Sequence, residues 1–385
     1  MANSTAPPRP AKPSRDFPLT PHPNGQWVKK VRGKLHYFGR WADDRKGELA
    51  VALWAEQQAD LLAGRTPRGC REGLSVRQLC NAFLTAKEQS RDGGDITQRS
   101  FVDYLATAKL LVDAFGGERL VDDLAADDFQ SLRASFAKRW GVHRVSGEVQ
   151  RVRTVFKYGY EAGLIDKPIR FGPTFKRPAA RIMRAHRQKN GPRLFEVADL
   201  RTIVDKADQP LRAMILLGIN CGFGNHDCGT LPLSAIDFGK GWIEHPRPKT
   251  AVERRCPLWP ETIQSLRDAI KDRPQPKLPE HAGLAFVTRC GSPWAKDVAD
   301  SPITKETRKL LDTLKLHRPG LGFYALRHTF ETVAGGSLDQ VAVNHVMGHV
   351  DASMAGVYRE RIEDKRLLAV VNHVHTWLFG EHKAK

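Results

Sequence analysis

Apolar positions along the chain change period several times, and each change predicts a different kind of element. Residues 25–39, GQWVKKVRGKLHYFG, alternate aromatic and β-branched residues with polar ones, which predicts two short strands around a tight Arg32-Gly33-Lys34 turn. Residues 45–63 take up helical spacing, with Leu49, Leu53 and Leu62 among the apolar positions and Gly64 beyond the end. The helical period then recurs through residues 74–166. Ser75 can cap a helix carrying Val76, Leu79 and Phe83; Phe101, Leu105, Leu111 and Phe115 mark a second; Phe129, Leu132 and Phe136 a third; and Val149, Val152, Phe156 and Tyr160 a fourth that stops at Gly163. Each apolar stripe needs a partner, so the four together predict a small bundle.

The pattern breaks at residues 167–193, KPIRFGPTFKRPAARIMRAHRQKNGPR, which hold nine Lys or Arg, four Pro and no acidic residue. Such a stretch repels itself and predicts an extended linker. Beyond Leu194 the periods mix. Helices are expected at roughly 196–206 and 210–219, then a strand pair, GWIEHPRPKT and ERRCPLWP, with Lys249 in its turn, then helices at about 259–270, 303–315 and 325–334. Ser337 with Gln340 has the capping-box spacing for a helix running to Val346, and Asp351 or Ser353 can cap a short helix ending near Tyr358. Residues 363–379 place Leu367, Val370, Val371, Val374 and Leu378 on one helical face. The expected architecture is multidomain and mainly α with small β elements: a tail over 1–16, a β-sheet domain over 17–66, a helical bundle over 74–166, a basic linker over 167–192 and a mixed α/β domain over 193–385.

Charge narrows the function. Against 43 acidic residues stand 61 Lys and Arg, a formal charge of +18 on 385 residues, which favours a polyanionic partner. No apolar run reaches the ~18 residues a membrane span needs, and MANSTAPPRPAKPSRDFP lacks the hydrophobic segment of a signal peptide. Six cysteines without paired spacing fit reduced thiols. The expectation is a cytoplasmic, DNA-associated protein with no membrane partner. Its candidate DNA-contacting cations are Lys29, Lys30, Arg32 and Lys34 on the hairpin, Arg151, Arg153 and Lys157 on the fourth helix (beside Arg144), and Lys176, Arg177 and Arg181 in the linker. A solvated basic face is the competing reading for the hairpin and the fourth helix, and a plain disordered connector for the linker. The cluster Cys221, His226, Asp227 and Cys228 fits no common zinc spacing, so no metal is expected.

Three segments of the last domain carry specific chemistry in one order: RPKTAVERRCPL, YALRHTF and MGHVDASMAGVY. Together they resemble the tyrosine recombinases, the phage-integrase family of site-specific DNA strand-exchange enzymes. The resemblance extends from about residue 17 to 380: the front hairpin resembles an arm-type DNA-binding domain and the bundle a core-binding, SAM-like domain. It implies that Tyr358 attacks the DNA backbone to form a 3′-phosphotyrosyl intermediate, that Arg327 clamps the phosphate and His349 hydrogen-bonds it, and that Lys249 protonates the leaving 5′-oxygen. It implies double-stranded DNA as partner, no cofactor, and a homo-oligomer joined through the C-terminal helix, although that helix could equally pack on its own domain.

Two positions depart from the family pattern. In CGFGNHDCGTL, residues 221–231, Gly224 stands where the family motif T-G-x-R-x-x-E-L has arginine, while Asp227 holds the acidic position. Tyr324 occupies the histidine slot of H-x-x-R; a phenol can donate to a phosphate but is a poor base at neutral pH. Three readings of the missing arginine stay open at this level: another cation such as Arg254, Arg255 or Arg193 takes its place, the enzyme is slow, or the protein binds DNA without cutting it. A type IB topoisomerase shares the nucleophile chemistry, and the hairpin domain argues against it.

Overall fold

The computed structural model describes residues 9–64, 67, 73–296 and 301–380. Over these described residues the chain is mainly helical with two small antiparallel sheets, and it divides into two compact units, Met1–Ala180 and Arg181–Lys385.

The first unit contains two separate cores. Strands β1 (Thr20–Pro21), β2 (Gln26–Val31) and β3 (Lys34–Arg40) form the first sheet, and α1 (Glu48–Leu62) packs on it. Val31 pairs with Lys34, so the turn is the two residues Arg32 and Gly33, both at positive φ (49° and 84°) as a primed hairpin turn requires. Asp44 starts α1 by accepting from the Glu48 and Ala50 amides at 3.0 and 2.9 Å. The buried face of α1 is Ala50, Trp54 and Leu61, whereas Leu49 and Leu62 point to solvent. Choosing the most hydrophobic letters missed the stripe because one tryptophan sets the phase.

The second core is a bundle of α2 (Val76–Asp92), α3 (Gln98–Phe115), α4 (Ala126–Arg139) and α5 (Val142–Glu161). Ser75 and Gln78 close a full capping box on α2. Phe129 is the hub, its ring 4.8–5.5 Å from those of Phe115, Phe156, Phe171 and Phe175. The last two belong to the stretch expected to be an extended linker. That expectation is corrected: Phe175 is fully buried, Arg153 donates to its carbonyl at 3.0 Å, and Arg133 donates to the Lys176 carbonyl at 3.1 Å. Net charge repels solvated chain, but aromatic rings between the charges still gain from burial. The segment continues as α6 (Ala180–Lys189), a helix with no buried residue. Past Pro178 it is rich in good helix formers, and like charges three or four apart cost only tenths of a kcal/mol.

The second unit is built around α8 (Leu211–Asn220), buried along its whole length. Packed on or around it are α7 (Val197–Lys206), the short α9 (Asn225–Gly229), α10 (Pro260–Lys271), α11 (Pro302–Thr313), α12 (Ala325–Ala334) and α15 (Asp364–Phe379), with α13 (Gln340–Met347) and α14 (Met354–Val357) preceding α15. Strands β4 (Ile236–Asp237), β5 (Trp242–Glu244) and β6 (Arg255–Pro257) make the second sheet. Gly218 lets α12 come close to α8: a Cβ there would lie 2.7–3.0 Å from Leu326. Asp339, not Ser337, caps α13 by accepting from the Ala342 amide at 3.1 Å, because Leu338 turns left-handed (φ 63°) and carries Ser337 away. Leu367, Val370, Val371, Val374 and Leu378 of α15 are buried in this unit's own core, so the face considered for a neighbouring protomer is covered by the chain itself.

Candidate active site

Arg327 enters from the first turn of α12 and is almost fully buried. Its Nη1 donates to the Gly222 carbonyl at 2.6 Å and its Nη2 to the Met347 carbonyl at 2.7 Å. Gly222 is at φ +64°, and a side chain there would press on Phe330 and Met347 at 3.1–3.2 Å. Burial lowers the Arg327 pKa to about 10, with Arg247 nearby adding to the effect, so the guanidinium remains charged at neutral pH.

His349 follows the glycine that ends α13. Gly348 is left-handed (φ 63°), its amide donates to the His345 carbonyl, and the His349 amide reaches back to Asn344 at 2.9 Å. The imidazole Nδ1 lies 3.3 Å from Asn344 Oδ1 and 3.9 Å from a Glu331 oxygen. With Nδ1–H donating to that amide oxygen, Nε2 is left as an acceptor. Burial lowers the His349 pKa, and Arg327 and Arg247 lower it further against Glu331, so the ring is neutral at pH 7.

The β5–β6 hairpin closes on this turn. Arg247 Nη1 and Thr250 Oγ1 both donate to the Gly348 carbonyl, at 3.4 and 3.3 Å. A Cβ on Gly348 would lie 2.9 Å from Arg247 Cβ and 3.3 Å from Arg254 Cδ. Lys249 is exposed in the hairpin turn, where Ala251 takes φ 52°.

Arg254 lies beneath the hairpin. Its Nη2 pairs with Asp227 Oδ1 at 2.8 Å, its Nε donates to the His245 carbonyl at 2.6 Å, and its guanidinium stacks 4.0 Å from the Phe223 ring. Nη1 is buried with no hydrogen-bond partner among the described residues. The other Asp227 oxygen accepts from the Gly224 amide at 2.6 Å, so Gly224 opens α9 held through its backbone. Burial, helped by Arg254, brings the His245 pKa down to about 4. The Tyr324 ring, half-exposed and 5.4 Å from that of His328, lies 3.2–3.4 Å from where a Gly224 side chain would begin.

Tyr358 stands apart. It caps the C-terminus of α14 with 76% of its surface exposed, and among the described residues no hydrogen bond, ion pair or ring contact holds its side chain. Ser353 caps α14 through the Gly356 amide at 3.1 Å, while Asp351 binds the Ser353 hydroxyl and pairs with Arg359 at 2.9 Å. Asp351 is thereby held near pKa 2, chiefly by Ser353.

The structure therefore gathers Arg327 and His349, puts Lys249 on the hairpin above them, and leaves Tyr358 outside. Sequence reasoning missed Arg247 and His245. The one available signal for Arg247 was its place two residues ahead of Lys249 in the same hairpin. Of the other substitutes considered, Arg255 is occupied by Glu244 and Asp364 with its guanidinium over Trp242, and Arg193 lines the cleft shared by Tyr324 and His328. Cys221 and Cys228 are buried and burial pushes both thiols up; among the described residues no group of three His, Cys, Asp or Glu stands close enough to hold a metal.

The expected DNA-contacting cations divide in two. Lys29 lies over the Trp54 ring, Arg32 donates to the Leu62 carbonyl at the end of α1, and Arg151 joins buried Glu148 and Thr107. Arg153 holds Phe175, Arg177 donates to Ser146, and Lys157 pairs with Glu161. These six have partners within the chain, and Arg32, Lys157 and Arg177 are exposed as well. Lys30, Lys34, Lys176 and Arg181 are exposed. Among the described residues, no helix is long and apolar enough to cross a membrane.

The site lies on a mainly helical unit with a small sheet. Residues 187–364, a little under half of the chain, match the phage integrase family. The Tn1549 transposon integrase in complex with a circular intermediate DNA is similar over 78% of this chain and 99% of its own, at 16% identity and a TM-score of 0.57. A lambda integrase tetramer bound to a Holliday junction is similar over 91% of this chain and 98% of its own, at 15% identity and a TM-score of 0.56. A lambda integrase dimer bound to a COC′ core site gives 91% and 99%, at 14% identity and a TM-score of 0.55. At these identities the likeness is one of fold. No curated protein sequence matches the chain.

Proposed function

We propose that the protein is an integrase-type site-specific recombinase that cleaves and rejoins double-stranded DNA through a 3′-phosphotyrosyl intermediate. The observation that carries the reading is the convergence of Arg327, neutral His349 and the Lys249 hairpin on the single turn at Gly348. Tyr358 Oη attacks the scissile phosphorus and its proton passes to Nε2 of His349. The P–O5′ bond breaks, its electron pair stays on the 5′-oxygen, and that oxygen takes a proton from Lys249. Reversal of the same steps by another 5′-hydroxyl rejoins the strand. Arg327 uses one N–H on each Nη for Gly222 and Met347, which leaves the second N–H on each for the phosphate. Tyr324 donates to the phosphate in place of the family's histidine.

In this reading the N-terminal sheet is the arm-type DNA-binding module and the four-helix bundle the core-binding module. Lys30, Lys34 and Lys176, with Arg181 on α6, are exposed cations for phosphate contact, and several copies assemble on paired sites; lambda integrase is a dimer on a COC′ core site in one structure and a tetramer on a Holliday junction in another. Binding of DNA brings the Tyr358 segment into the cleft.

The test uses a duplex recovered from a randomised library by binding to the Tyr358→Phe protein, then nicked near its centre so that the released fragment diffuses away. Wild type traps a covalent protein–DNA adduct and Tyr358→Phe does not. Equal trapping removes Tyr358 from the mechanism. A second reading, a DNA-binding protein that does not cut, is favoured by Gly224 and by the exposed position of Tyr358. It predicts salt-sensitive binding to the same duplex with no adduct at all.

A further inference from the structure

We infer that Arg247 supplies the second guanidinium contact to the scissile phosphate, taking over from the hairpin the place left empty at Gly224; the inference rests on the recombinase reading of this same site. The geometry comes first. Arg327 binds the carbonyl of Met347 and Arg247 that of Gly348, so two consecutive peptide carbonyls hold the two guanidinium groups side by side under His349.

Charge follows. Of the two acids beside the pocket, Glu331 lies 3.9 Å from His349, and Asp227, which acts on Arg327, is already taken by Arg254 and by the Gly224 amide. Among the described residues neither Arg247 nor Arg327 forms an ion pair. Two adjacent, unneutralised guanidinium groups beside a neutral imidazole form a pocket that an anion completes. The depression of both the Arg327 and the His349 pKa by Arg247 agrees with that proximity.

Availability separates Arg247 from Arg254. Arg254 is fixed by Asp227, the His245 carbonyl and the Phe223 ring, and its side chain is 1% exposed. It is a positioning residue, holding Asp227 and through it the start of α9. Arg247 is half-buried, and its one hydrogen bond to the backbone is long at 3.4 Å, so most of its donors are free to meet a phosphate. It also precedes Lys249 by two residues, so one hairpin delivers both the clamp and the proton donor.

The test replaces single phosphates across the centre of the library-selected duplex with methylphosphonate, in which a methyl group stands for one non-bridging oxygen and the charge is gone. On the ordinary nicked duplex, Arg247→Gln is expected to form adduct about 10²–10³-fold more slowly than wild type, the usual effect of losing one preorganised donor. At the one sensitive position the methylphosphonate duplex narrows that gap to within about tenfold, because no charge remains to be clamped. Arg247→Lys falls between, since it keeps the charge without the fork. Wild-type rates for Arg247→Gln, or an equal deficit on both duplexes, would overturn the assignment, the second outcome marking a purely structural role. Melting temperatures identify any variant that fails to fold, and Arg247→Lys then carries the comparison.

Binding by Tyr358→Phe, with and without Arg247→Gln, separates this inference from the one beneath it. If wild type forms no adduct but Arg247→Gln abolishes the preference for phosphate over methylphosphonate at one position, the recombinase reading fails and the phosphate contact stands. If the preference is unchanged, the contact fails.

Discussion

Replacing Asp227 by asparagine preserves the shape of the residue and removes the charge that Arg254 faces. The side chains are 1% and 10% exposed and 2.8 Å apart, so solvent screens the pair little. Arg254 already has one buried nitrogen without a partner, and Asp227 serves two donors, Arg254 and the Gly224 amide. An asparagine offers one acceptor oxygen where two are in use, and it turns an NH₂ toward the donor it fails. Breaking one side of a buried pair costs about 3–5 kcal/mol, and since asparagine retains one bond the lower end, about 3 kcal/mol, is expected. For a folding unit of this size each kcal/mol corresponds to roughly 2–4 °C, so the transition of the second unit should fall by roughly 6–12 °C. Calorimetry of the full chain measures this. Adding Arg254→Met should recover most of the loss, because replacing both partners removes the stranded charge. A melting temperature for Asp227→Asn within a degree or two of wild type, or no recovery in the double variant, would refute the view that this pair anchors the start of α9.

Three further outcomes are expected. His245 is buried neutral with a pKa near 4 against about 6.5 when unfolded, so as pH falls the unfolded chain takes up the proton first; stability is unaffected above pH 6.5 and declines toward pH 4, by up to about 3 kcal/mol. His245→Asn should flatten the melting temperature across that window, and an unchanged slope would count against the assignment. Phe175→Ala should destabilise the bundle by about 3–5 kcal/mol in urea titration, whereas a loss under about 1 kcal/mol would mean that its segment does not pack there. Gly348→Ala combines a left-handed backbone with a 2.9 Å approach to Arg247 Cβ; a loss of roughly 1–2 kcal/mol is expected, with a changed His349 titration by NMR as the check on its effect at the site.

Much of this architecture was readable from period alone. The helix of Arg327 spans 325–334 as expected, the bundle helices follow their apolar stripes, and the hairpin carries Lys249 in its turn. What escaped was decided by distance in space. Trp54 sets the face of α1 against its leucines, and Asp339 outcompetes Ser337 because one residue turns left-handed. Phe171 and Phe175 look like linker until Phe129 gives them a core to join. Cations are the hardest case. A sequence cannot distinguish Arg151, which neutralises buried Glu148, from exposed Lys30, since the difference lies in a partner three residues or a whole fold away. Arg247 escaped for the same reason: its position follows from where the hairpin meets Gly348.

The short helix that carries Tyr358 has a thermodynamic consequence. None of its four residues is buried, so it lacks the roughly 1.5–3 kcal/mol that each anchored apolar side chain would contribute to holding it in place. What fastens it is the Ser353 cap and the Asp351–Arg359 pair, the latter an exposed contact that solvent and salt screen. Detaching and re-seating this segment therefore demands little free energy, and under the proposed function a modest preference of bound DNA for the docked arrangement would be enough to shift its population. Each additional 1.4 kcal/mol of such preference changes the docked-to-undocked ratio tenfold. In the proposed reaction, a nucleophile mounted this loosely would make the frequency of cutting a property of the substrate complex more than of the free protein.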